Sequence, residues 1–327
     1  MLAGDANLAR APRVSGEHDR MSTSRRFVPA AVLAIAAATA LIVALHLWRT
    51  APPAEQHAWE TRFSLISLKL QGELPHVGWR MILSRLGPAW RTAGPPPLAH
   101  IVAQGEPPCP SLWDTPMGRF WGTPRDGRDL DWIVMEQIGW HIYDRGPARV
   151  RPGDIVFDVG AHLGSFSRFA LERGASRVVM FEPQPVNARC LERTFAKEIR
   201  DGRAVLVEAA VWDREGELSF ASDGPGTMGH VDEEGGGGRG VTVRATTFDA
   251  TIERLGLPRV DFLKMDIEGA ERHAIEGGRR MLARSRPRMA ICIYHRPDDA
   301  AVIPRLVMEA NPHYRQFTRG VFQAYFH

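Results

Sequence analysis

Cysteine is scarce in this sequence. Among its 327 residues there are 3 cysteines, Cys109, Cys190 and Cys292, and no two of them form a CxxC pair. This spacing provides neither a disulfide framework nor a cysteine-rich zinc site. We therefore expect three free thiols, which are typical of a reducing compartment.

The chain also lacks an excess of charge of either sign. Its 41 basic and 38 acidic residues leave a formal net charge of +3, and a balance this close does not indicate nucleic acid as a partner. Hydrophobic residues make up 44% and charged residues 24% of the chain. These are ordinary proportions for a globular protein, so a disordered, collagen-like or low-complexity chain is excluded.

One segment is long, apolar and uncharged. Phe27 to Trp48 is a run of 22 residues without Asp, Glu, Lys or Arg. A helix of that length spans about 33 Å, roughly the thickness of a bilayer core. We predict a single-pass transmembrane anchor. The alternatives are a cleaved signal segment ending near Ala38-Thr39-Ala40 and an apolar tail from a misassigned start.

The sequence divides into five predicted segments, distinguished by composition and by the period of their apolar residues. In order they are a disordered tail (1–26), the transmembrane anchor or signal segment (27–48), a linker with a helical stretch (49–111), a helical lid (112–150) and the core domain (151–327). The lid is predicted as helical because apolar residues recur with helical spacing between Asp131 and Asp144.

Short apolar runs alternate with longer amphipathic segments throughout the core domain. Repeated βαβ units of this kind predict an α/β domain with a doubly wound, Rossmann-like parallel sheet and helices on both faces. The predicted strands are 154–159, 177–181, 204–208, 241–244, 260–265 and 289–294. The predicted helices are 165–173, 185–199, 249–255, 270–283 and 300–310.

The first predicted strand runs into a glycine loop. Asp158 is followed by Gly160, Ala161 and Gly164 in the spacing D-x-G-x-x-x-G, and the glycines allow a sharp turn and a close approach of the backbone to a ligand. A dinucleotide pyrophosphate is an anion and disfavours a carboxylate at this place. Asp158 instead suits a cationic ligand, such as the ammonium group of S-adenosylmethionine. A tight turn with a helix-capping aspartate is the alternative.

The second predicted strand ends in Glu182-Pro183. Glu182 lies 24 residues after Asp158, close to the spacing at which an acid in such folds accepts hydrogen bonds from ribose hydroxyls. A solvated glutamate at a strand end is the alternative, but the joint spacing of the two acids favours a nucleoside ligand.

Four motifs together resemble the FkbM-type S-adenosylmethionine-dependent methyltransferases. They are Asp158-Val159-Gly160-Ala161, Phe181-Glu182-Pro183-Gln184-Pro185, Thr246-Thr247-Phe248-Asp249 and, most specific, Lys264-Met265-Asp266-Ile267-Glu268-Gly269-Ala270-Glu271. The resemblance covers about Pro116 to the C-terminus. It implies a class I methyltransferase fold, S-adenosyl-L-methionine as the cofactor, and a hydroxyl of a sugar, glycan or natural product as the acceptor. One departure is His162, where the family usually has Asn.

The predicted cofactor site combines the glycine loop, the end of the second strand and the lid. Glu136 is predicted to cover the cofactor from the lid helix, with an exposed helix face as the alternative. The predicted cofactor-binding residues are Asp158, Gly160, Ala161, Gly164, Glu182 and Glu136.

The predicted catalytic residues are Asp266, Glu268 and His295. A hydroxyl is a poor nucleophile at neutral pH, so a general base should assist it, and the ordinary pKa of histidine suits that role. Asp266 has three possible roles, as general base, cofactor contact or metal ligand. We predict no metal, because the spacing fixes no third ligand beside Asp266 and Glu268. Lys264, within a buried strand, is expected to form an ion pair.

Two other functions stay open. One is a nucleotide-dependent oxidoreductase on a Rossmann fold, which the missing G-x-G disfavours. The other is a catalytically inactive, membrane-tethered binding protein. The membrane and a small-molecule or glycan acceptor are the expected partners.

The orientation in the membrane has conflicting indications. Five arginines precede the apolar run within 20 residues and two follow it, which places the core domain outside the cytoplasm. S-adenosylmethionine is made in the cytosol, and we give that requirement more weight. The catalytic domain is therefore predicted to be cytoplasmic.

Overall fold

The structure, a computed structural model, describes residues 97–139, 141–222, 229–231, 240–319 and 323–327, together with His46, Ile66 and Leu70. The chain divides into two compact units, residues 1–50 and 51–327, and the sheets belong to the second. No helix within the described residues has the length and hydropathy that crossing a membrane requires. The predicted tail and the predicted anchor lie outside the described residues, apart from His46.

A small antiparallel sheet precedes the core domain. Its strands are β1 (His100–Gln104), β2 (Ser111–Thr115) and β3 (Gly118–Gly122), in that order. Helix α1 (Gly127–Val134) follows and continues into a π-turn, Met135–Gly139. The prediction that 112–150 is a helical lid is therefore wrong for its first part. Side chains of β2 alternate between buried and half-buried, the period of a strand, and the sequence reasoning overlooked it.

The core domain continues with β4 to β6 and the helices between them. These are β4 (Ile155–Val159), α2 (Ser165–Glu172), β5 (Arg177–Phe181), α3 (Pro185–Thr194), α4 (Ala196–Arg200) and β6 (Ala204–Val207). A second small sheet follows, made of β7 (Ala210–Val211), β8 (Gly216–Ser222), β9 (Gly229–Val231) and β10 (Val241–Thr246). The remaining elements are α5 (Phe248–Leu255), β11 (Phe262–Met265), α6 (Glu271–Glu276), α7 (Arg279–Arg284), β12 (Arg288–Cys292), α8 (Asp299–Ala310), β13 (Gln316–Arg319) and β14 (Gln323–Phe326).

The main sheet has seven strands in the order β13-β14-β12-β11-β4-β5-β6. The five strands from β12 to β6 pair in parallel, which confirms the predicted doubly wound core. β14 is antiparallel to both of its neighbours. The sheet is therefore mixed, because the last two strands form a hairpin at the edge instead of following another crossover helix.

Side chains on the two faces of the main sheet enter two different cores. Phe157 and Leu263 pack with residues of α5 to α8, whereas Val156 and Phe262 pack with residues of α2 and α3. Successive strand residues point to opposite faces, so strands that are apolar throughout bury both sides. This confirms the three-layer arrangement with helices on both faces of the sheet.

The order of the strands reverses between β4 and β11. From β4 the chain proceeds to β5 and β6 on one side, and later returns to β11 and β12 on the other. Lys264 pairs with Asp158 in register, and Met265 with Val159. The residues that follow these two strands are therefore neighbours at the edge where such sheets bind their ligands.

Two cysteines form a disulfide. Cys109 and Cys190 are bonded, with Cα atoms 5.5 Å apart, and link the segment after β1 to α3. Cys292 is free and buried. The expectation of three free thiols is therefore wrong for two of them, because residues 81 positions apart in sequence meet only in the folded chain.

Candidate active site

A cavity of about 320 Å³ opens at the carboxyl ends of β4, β5 and β11. The glycine loop, the end of β5, the turn after β11 and the π-turn after α1 contribute to its wall. The hairpin of β8 and β9 adds Phe220 and Val231. The cavity thus lies at the reversal of strand order, as the predicted topology requires.

The glycine loop lies against the turn after β11. Gly160 has a φ of +78°, and a Cβ there would lie 2.0 Å from the backbone oxygen of Asp266. Only glycine fits this position. Gly160 and Ala161 line the cavity as predicted. Gly164 lies outside the cavity lining, with a φ of +86°, and its missing side chain leaves room for Phe195.

Asp158 lies beneath the cavity wall. Its side chain is fully buried and outside the cavity lining. One carboxylate oxygen accepts a hydrogen bond of 2.6 Å from the Ser167 hydroxyl, and the other lies 3.3 Å from Lys264 Nζ. The protein's own side chains thus occupy the carboxylate that was predicted to contact the cofactor directly.

Lys264 connects Asp158 to the glycine loop, which confirms the predicted ion pair. Its ammonium donates hydrogen bonds to the backbone oxygens of Gly160 at 2.6 Å and Val159 at 3.3 Å. Burial by itself lowers the pKa of Lys264, but the charges of Asp158 and Asp266 outweigh it and the pKa is raised. The lysine therefore stays charged and fixes the loop.

Glu182 lines the cavity at the end of β5. Its carboxylate accepts hydrogen bonds from the backbone N–H of His162 at 2.8 Å and of Gln184 at 3.0 Å. Burial raises its pKa, while His162 and these hydrogen bonds lower it. The predicted cofactor residue is thus fixed in orientation, with its carboxylate at the cavity wall.

The π-turn forms the opposite wall. Glu136 lines the cavity, as its predicted role as a cover requires, and Gln137 beside it donates a 2.8 Å hydrogen bond to Ser165 at the start of α2. Burial and the charge of Asp266 raise the pKa of Glu136, and the charge of Lys264 lowers it. The raising effects prevail, and the pKa is about 7.

The structure brings the three predicted catalytic residues together. His295 Nε2 lies 3.4 Å from Asp266 Oδ1 and 3.5 Å from Glu268 Oε2. Asp266 and Glu268 line the cavity, and His295 lies next to them outside the lining. The other carboxylate oxygen of Asp266 accepts a 2.6 Å hydrogen bond from the Tyr143 hydroxyl.

A fourth residue, Glu271, holds this cluster in place. It is fully buried, and its carboxylate accepts hydrogen bonds from the backbone N–H of Ile267 at 2.9 Å and of Gly269 at 3.0 Å. It also lies 2.9 Å from Nδ1 of His295. The turn that it closes has Glu268 at a φ of +55° and Gly269 at +100°, which directs Glu268 back towards His295.

The carboxylates change the charge of His295. Burial by itself lowers its pKa, but Glu271, Asp266 and Glu268 raise it to about 9. The imidazole is therefore protonated at neutral pH in this arrangement. The prediction that its pKa suits a general base is wrong, because the sequence did not show how many acids surround it.

The comparison with known protein families agrees with this geometry. Residues 158–320 match the methyltransferase FkbM domain. This segment is an FkbM methyltransferase domain. The matched segment contains Asp158, Glu182, Asp266 and His295, and its family is a methyltransferase family. The match favours the methyltransferase prediction over the nucleotide-dependent oxidoreductase.

Two curated relatives of this FkbM domain protein are similar over part of its length. The 2-O-methyltransferase NoeI of Sinorhizobium fredii is 29% identical over 42% of this chain and 62% of its own. The 31-O-demethyl-FK506 methyltransferase FkbM of Streptomyces tacrolimicus is 29% identical over 46% of this chain and 68% of its own. The chain thus spans less than two thirds of the first relative.

A crystal structure of methyltransferase FkbM from Methylobacillus flagellatus is similar at 19% identity. The alignment has a TM-score of 0.43 and covers 63% of this chain and 55% of the other.

Sequence reasoning missed two residues of the FkbM domain protein's site. Tyr143, which donates to Asp266, lies 123 positions before it, and no local motif indicates the contact. Glu271 follows Asp266 and Glu268 closely in the string Asp-Ile-Glu-Gly-Ala-Glu, but no role was predicted for it. Its burial was the property that the sequence did not reveal.

Proposed function

We propose that this methyltransferase transfers a methyl group from S-adenosyl-L-methionine to a hydroxyl of a small molecule or glycan. One observation carries the proposal: the acidic cluster of Asp266 and Glu268 opens into the same cavity that the glycine loop and Glu182 line. The proposed cofactor-binding residues and the proposed catalytic carboxylates thus line the same cavity.

The charge of the cavity supports a cationic cofactor. Among the described lining residues are five carboxylates and a single lysine. The acids are Asp129, Glu136, Glu182, Asp266 and Glu268. The lysine, Lys264, is directed at Asp158 and at backbone oxygens. A sulfonium or ammonium group is attracted to such a site, whereas a pyrophosphate is repelled.

Glu182 supports a nucleoside at the end of β5. Its two oxygens accept hydrogen bonds from two backbone N–H groups and from the Asn187 side chain, and the carboxylate keeps a lone pair for a ribose hydroxyl. Gly160 and Ala161 present bare backbone beside it, which permits the close approach of a flat ligand.

The acceptor is proposed to be a hydroxyl because one curated relative is named a 2-O-methyltransferase and the other a methyltransferase of 31-O-demethyl-FK506. The cofactor supplies an electrophilic methyl group whose bond to sulfur breaks as the bond to the acceptor oxygen forms, and the bonding pair stays on sulfur. The protein aligns the two reactants and takes up the hydroxyl proton. The acidic cluster at the cavity wall is the proposed place of that proton transfer.

Calorimetric titration tests the cofactor. The protein should bind S-adenosylmethionine and not NAD. Glu182→Gln should bind it about 10- to 100-fold more weakly, the scale of a charge-assisted hydrogen bond. Glu253→Gln, at an exposed position outside the cavity lining, should bind like the unaltered protein. Equal affinity of both variants would exclude Glu182 from the site.

Methyl transfer to a panel of sugar and natural-product hydroxyls tests the reaction, with S-adenosylhomocysteine as the measured product. Asp266→Asn should lower turnover about 10²- to 10⁴-fold with little change in cofactor affinity. Loss of cofactor binding in that variant would assign Asp266 to the cofactor instead.

A further inference from the structure

We propose that Asp266, Glu268 and His295 bind a divalent cation, Mn²⁺ or Mg²⁺, at the cavity wall. The sequence analysis predicted no metal because no third ligand was fixed by spacing. The structure provides that ligand from a different strand end. One donor atom from each of the three residues lies within 4.8 Å of the others.

The distances are close to those of a coordination shell. Ligands that occupy neighbouring positions about 2.1 Å from an octahedral cation lie about 3 Å from one another. His295 Nε2 lies 3.4 Å from Asp266 Oδ1 and 3.5 Å from Glu268 Oε2. Three neighbouring positions of an octahedron would be complete if these two contacts shortened by about half an ångström and the two carboxylates, which lie within 4.8 Å of each other, moved to the same spacing.

Two of the donor atoms have no other hydrogen-bond partner. The His295 side chain is only 7% exposed, and its Nε2 is buried without a hydrogen bond. The same is true of Asp266 Oδ1. Buried polar atoms almost always have a hydrogen-bond partner, so two such atoms 3.4 Å apart are suited to bind a common ligand.

Glu271 prepares the histidine for this role. It is directed at Nδ1 and keeps the proton on that nitrogen when a cation displaces the proton of Nε2 to solvent. Histidines that bind metals commonly present their second nitrogen to a carboxylate in this way. Because Glu271 also accepts from two backbone N–H groups of the turn that carries Glu268, it positions two of the three ligands at once.

The charge of the cluster also favours a cation. Three carboxylates, Asp266, Glu268 and Glu271, surround one imidazole. The neighbouring Lys264 is bound to Asp158 and the glycine loop. Two carboxylates with one imidazole suit Mn²⁺ or Mg²⁺, since carboxylate oxygens are the preferred ligands of both and Mn²⁺ also accepts nitrogen readily.

This inference rests on the proposed function and specifies how the cluster acts. The cation would lie where Asp266 and Glu268 reach the cavity, so its open positions would face an acceptor. A hydroxyl bound to it loses its proton more readily, and that proton passes to solvent or to a neighbouring carboxylate. An acceptor with two adjacent hydroxyls would occupy two open positions.

Binding of Mn²⁺ to the EDTA-treated, dialysed full-length protein tests the inference by electron paramagnetic resonance. We expect one equivalent of bound Mn²⁺, competition by Mg²⁺, and a pulsed spectrum with nitrogen coupling from one imidazole. Glu268→Gln should weaken binding at least tenfold, and His295→Gln should remove the nitrogen coupling. Glu253→Gln is the control and should bind normally. Circular dichroism should verify that each variant is folded.

The outcomes separate this inference from the proposed function. If S-adenosylmethionine binds and Mn²⁺ does not, or if Mn²⁺ binding is unchanged in Glu268→Gln, the metal site is wrong and the methyltransferase proposal stands. If only Zn²⁺ binds at the cluster, the assignment to an octahedral cation is overturned. If Mn²⁺ binds as expected but S-adenosylmethionine does not, the proposed function is contradicted and the metal site is kept.

Discussion

Single buried charges fix the shape of this site. Asp158 and Lys264 form an ion pair in which neither side chain is more than 6% exposed, and Lys264 uses its other protons on the glycine loop. Removing one partner of such a pair leaves the other charge buried and uncompensated. The pair therefore determines stability and the position of the loop together.

Asp158→Asn should lower the free energy of unfolding by about 3–5 kcal/mol, because Lys264 remains charged and buried without a counter-ion. Chemical denaturation measures this. Asp201→Asn is a matched control, since Asp201 pairs with Lys197 in an exposed Lys–Asp contact, and it should leave the free energy of unfolding nearly unchanged. Equal effects of the two variants would contradict the supporting role of Asp158.

Glu136 gives the protein a pH-dependent stability in the neutral range. Its pKa rises from the ordinary glutamate value of 4.5 to about 7 in the folded chain. Between these values the folded state holds a proton that the unfolded state has lost, so stability falls as pH rises through this window.

Glu136→Gln should remove this part of the pH dependence. Comparison of denaturation at pH 5 and pH 8 should show the unaltered protein losing on the order of 1–3 kcal/mol more than the variant. A parallel pH dependence of the two proteins would show that Glu136 has an ordinary pKa.

At the scale of elements, the close approach of the glycine loop and the turn after β11 shapes the cavity. Gly160→Ala would place a Cβ 2.0 Å from the Asp266 backbone oxygen, so the turn with the acidic cluster must move. Gly153 is a matched control with a similar φ of +87° and no atom within 4 Å of its added Cβ.

Gly160→Ala should abolish measurable cofactor binding, whereas Gly153→Ala should bind normally and lose about 1 kcal/mol of stability from backbone strain alone. Calorimetric titration and denaturation of both variants measure this. Normal binding by Gly160→Ala would show that the loop and the turn are not tightly coupled.

The parallel strands of the main sheet were largely predictable, whereas in the small sheets only β10, predicted as 241–244, was found and it was wrongly assigned to the main sheet. The predicted strand 177–181 agrees with β5 at both ends, and β4, β6, β11 and β12 lie within or near their predicted ranges. Fully buried strands produce apolar runs that stand out in any sequence. Most strands of the small sheets are partly exposed, and β7 has only two residues, so their apolar pattern is weaker.

One predicted helix is interrupted in the structure. The predicted helix 270–283 is divided into α6 and α7 at Gly277 and Gly278. A Cβ on Gly277 would lie 2.0 Å from the Trp212 backbone oxygen, so the break makes room for the backbone that follows β7. Apolar periodicity continued through the break and concealed it.

At the scale of the whole molecule, the cellular compartment of the catalytic domain is the feature to test. We propose that the catalytic domain faces the cytoplasm, where the cofactor is made, with residues 27–48 as a membrane anchor. Three free thiols would have favoured a reducing compartment. Cys109 and Cys190 are bonded instead, and such bonds are rare in the cytosol. The proposal rests on cofactor supply alone.

Protease added to intact spheroplasts should leave the fragment from residue 112 to 327 undigested, because a cytoplasmic domain is inaccessible until lysis. Alkylation of the acid-quenched, denatured protein provides a second readout, because Cys109 and Cys190 are buried and become reactive on denaturation only if the compartment has kept them reduced. Digestion without lysis, together with a protected disulfide, would place the domain outside the cytoplasm.

The sequence by itself determined the three-layer α/β core, the glycine loop and the identity of the acids at the strand ends. These features depend on local patterns: apolar runs, glycines that follow a strand, and the Asp-Ile-Glu-Gly-Ala-Glu string. Such patterns depend on residues that are close in sequence, so they can be recognised without coordinates.

Only the tertiary structure decided which groups surround those acids. Asp158 is buried against Lys264, His295 is surrounded by three carboxylates, and Cys109 meets Cys190. Each of these outcomes depends on burial and on charges brought together from distant parts of the chain. The ionisation of a side chain is set by its surroundings, and the surroundings form only when the strands pair.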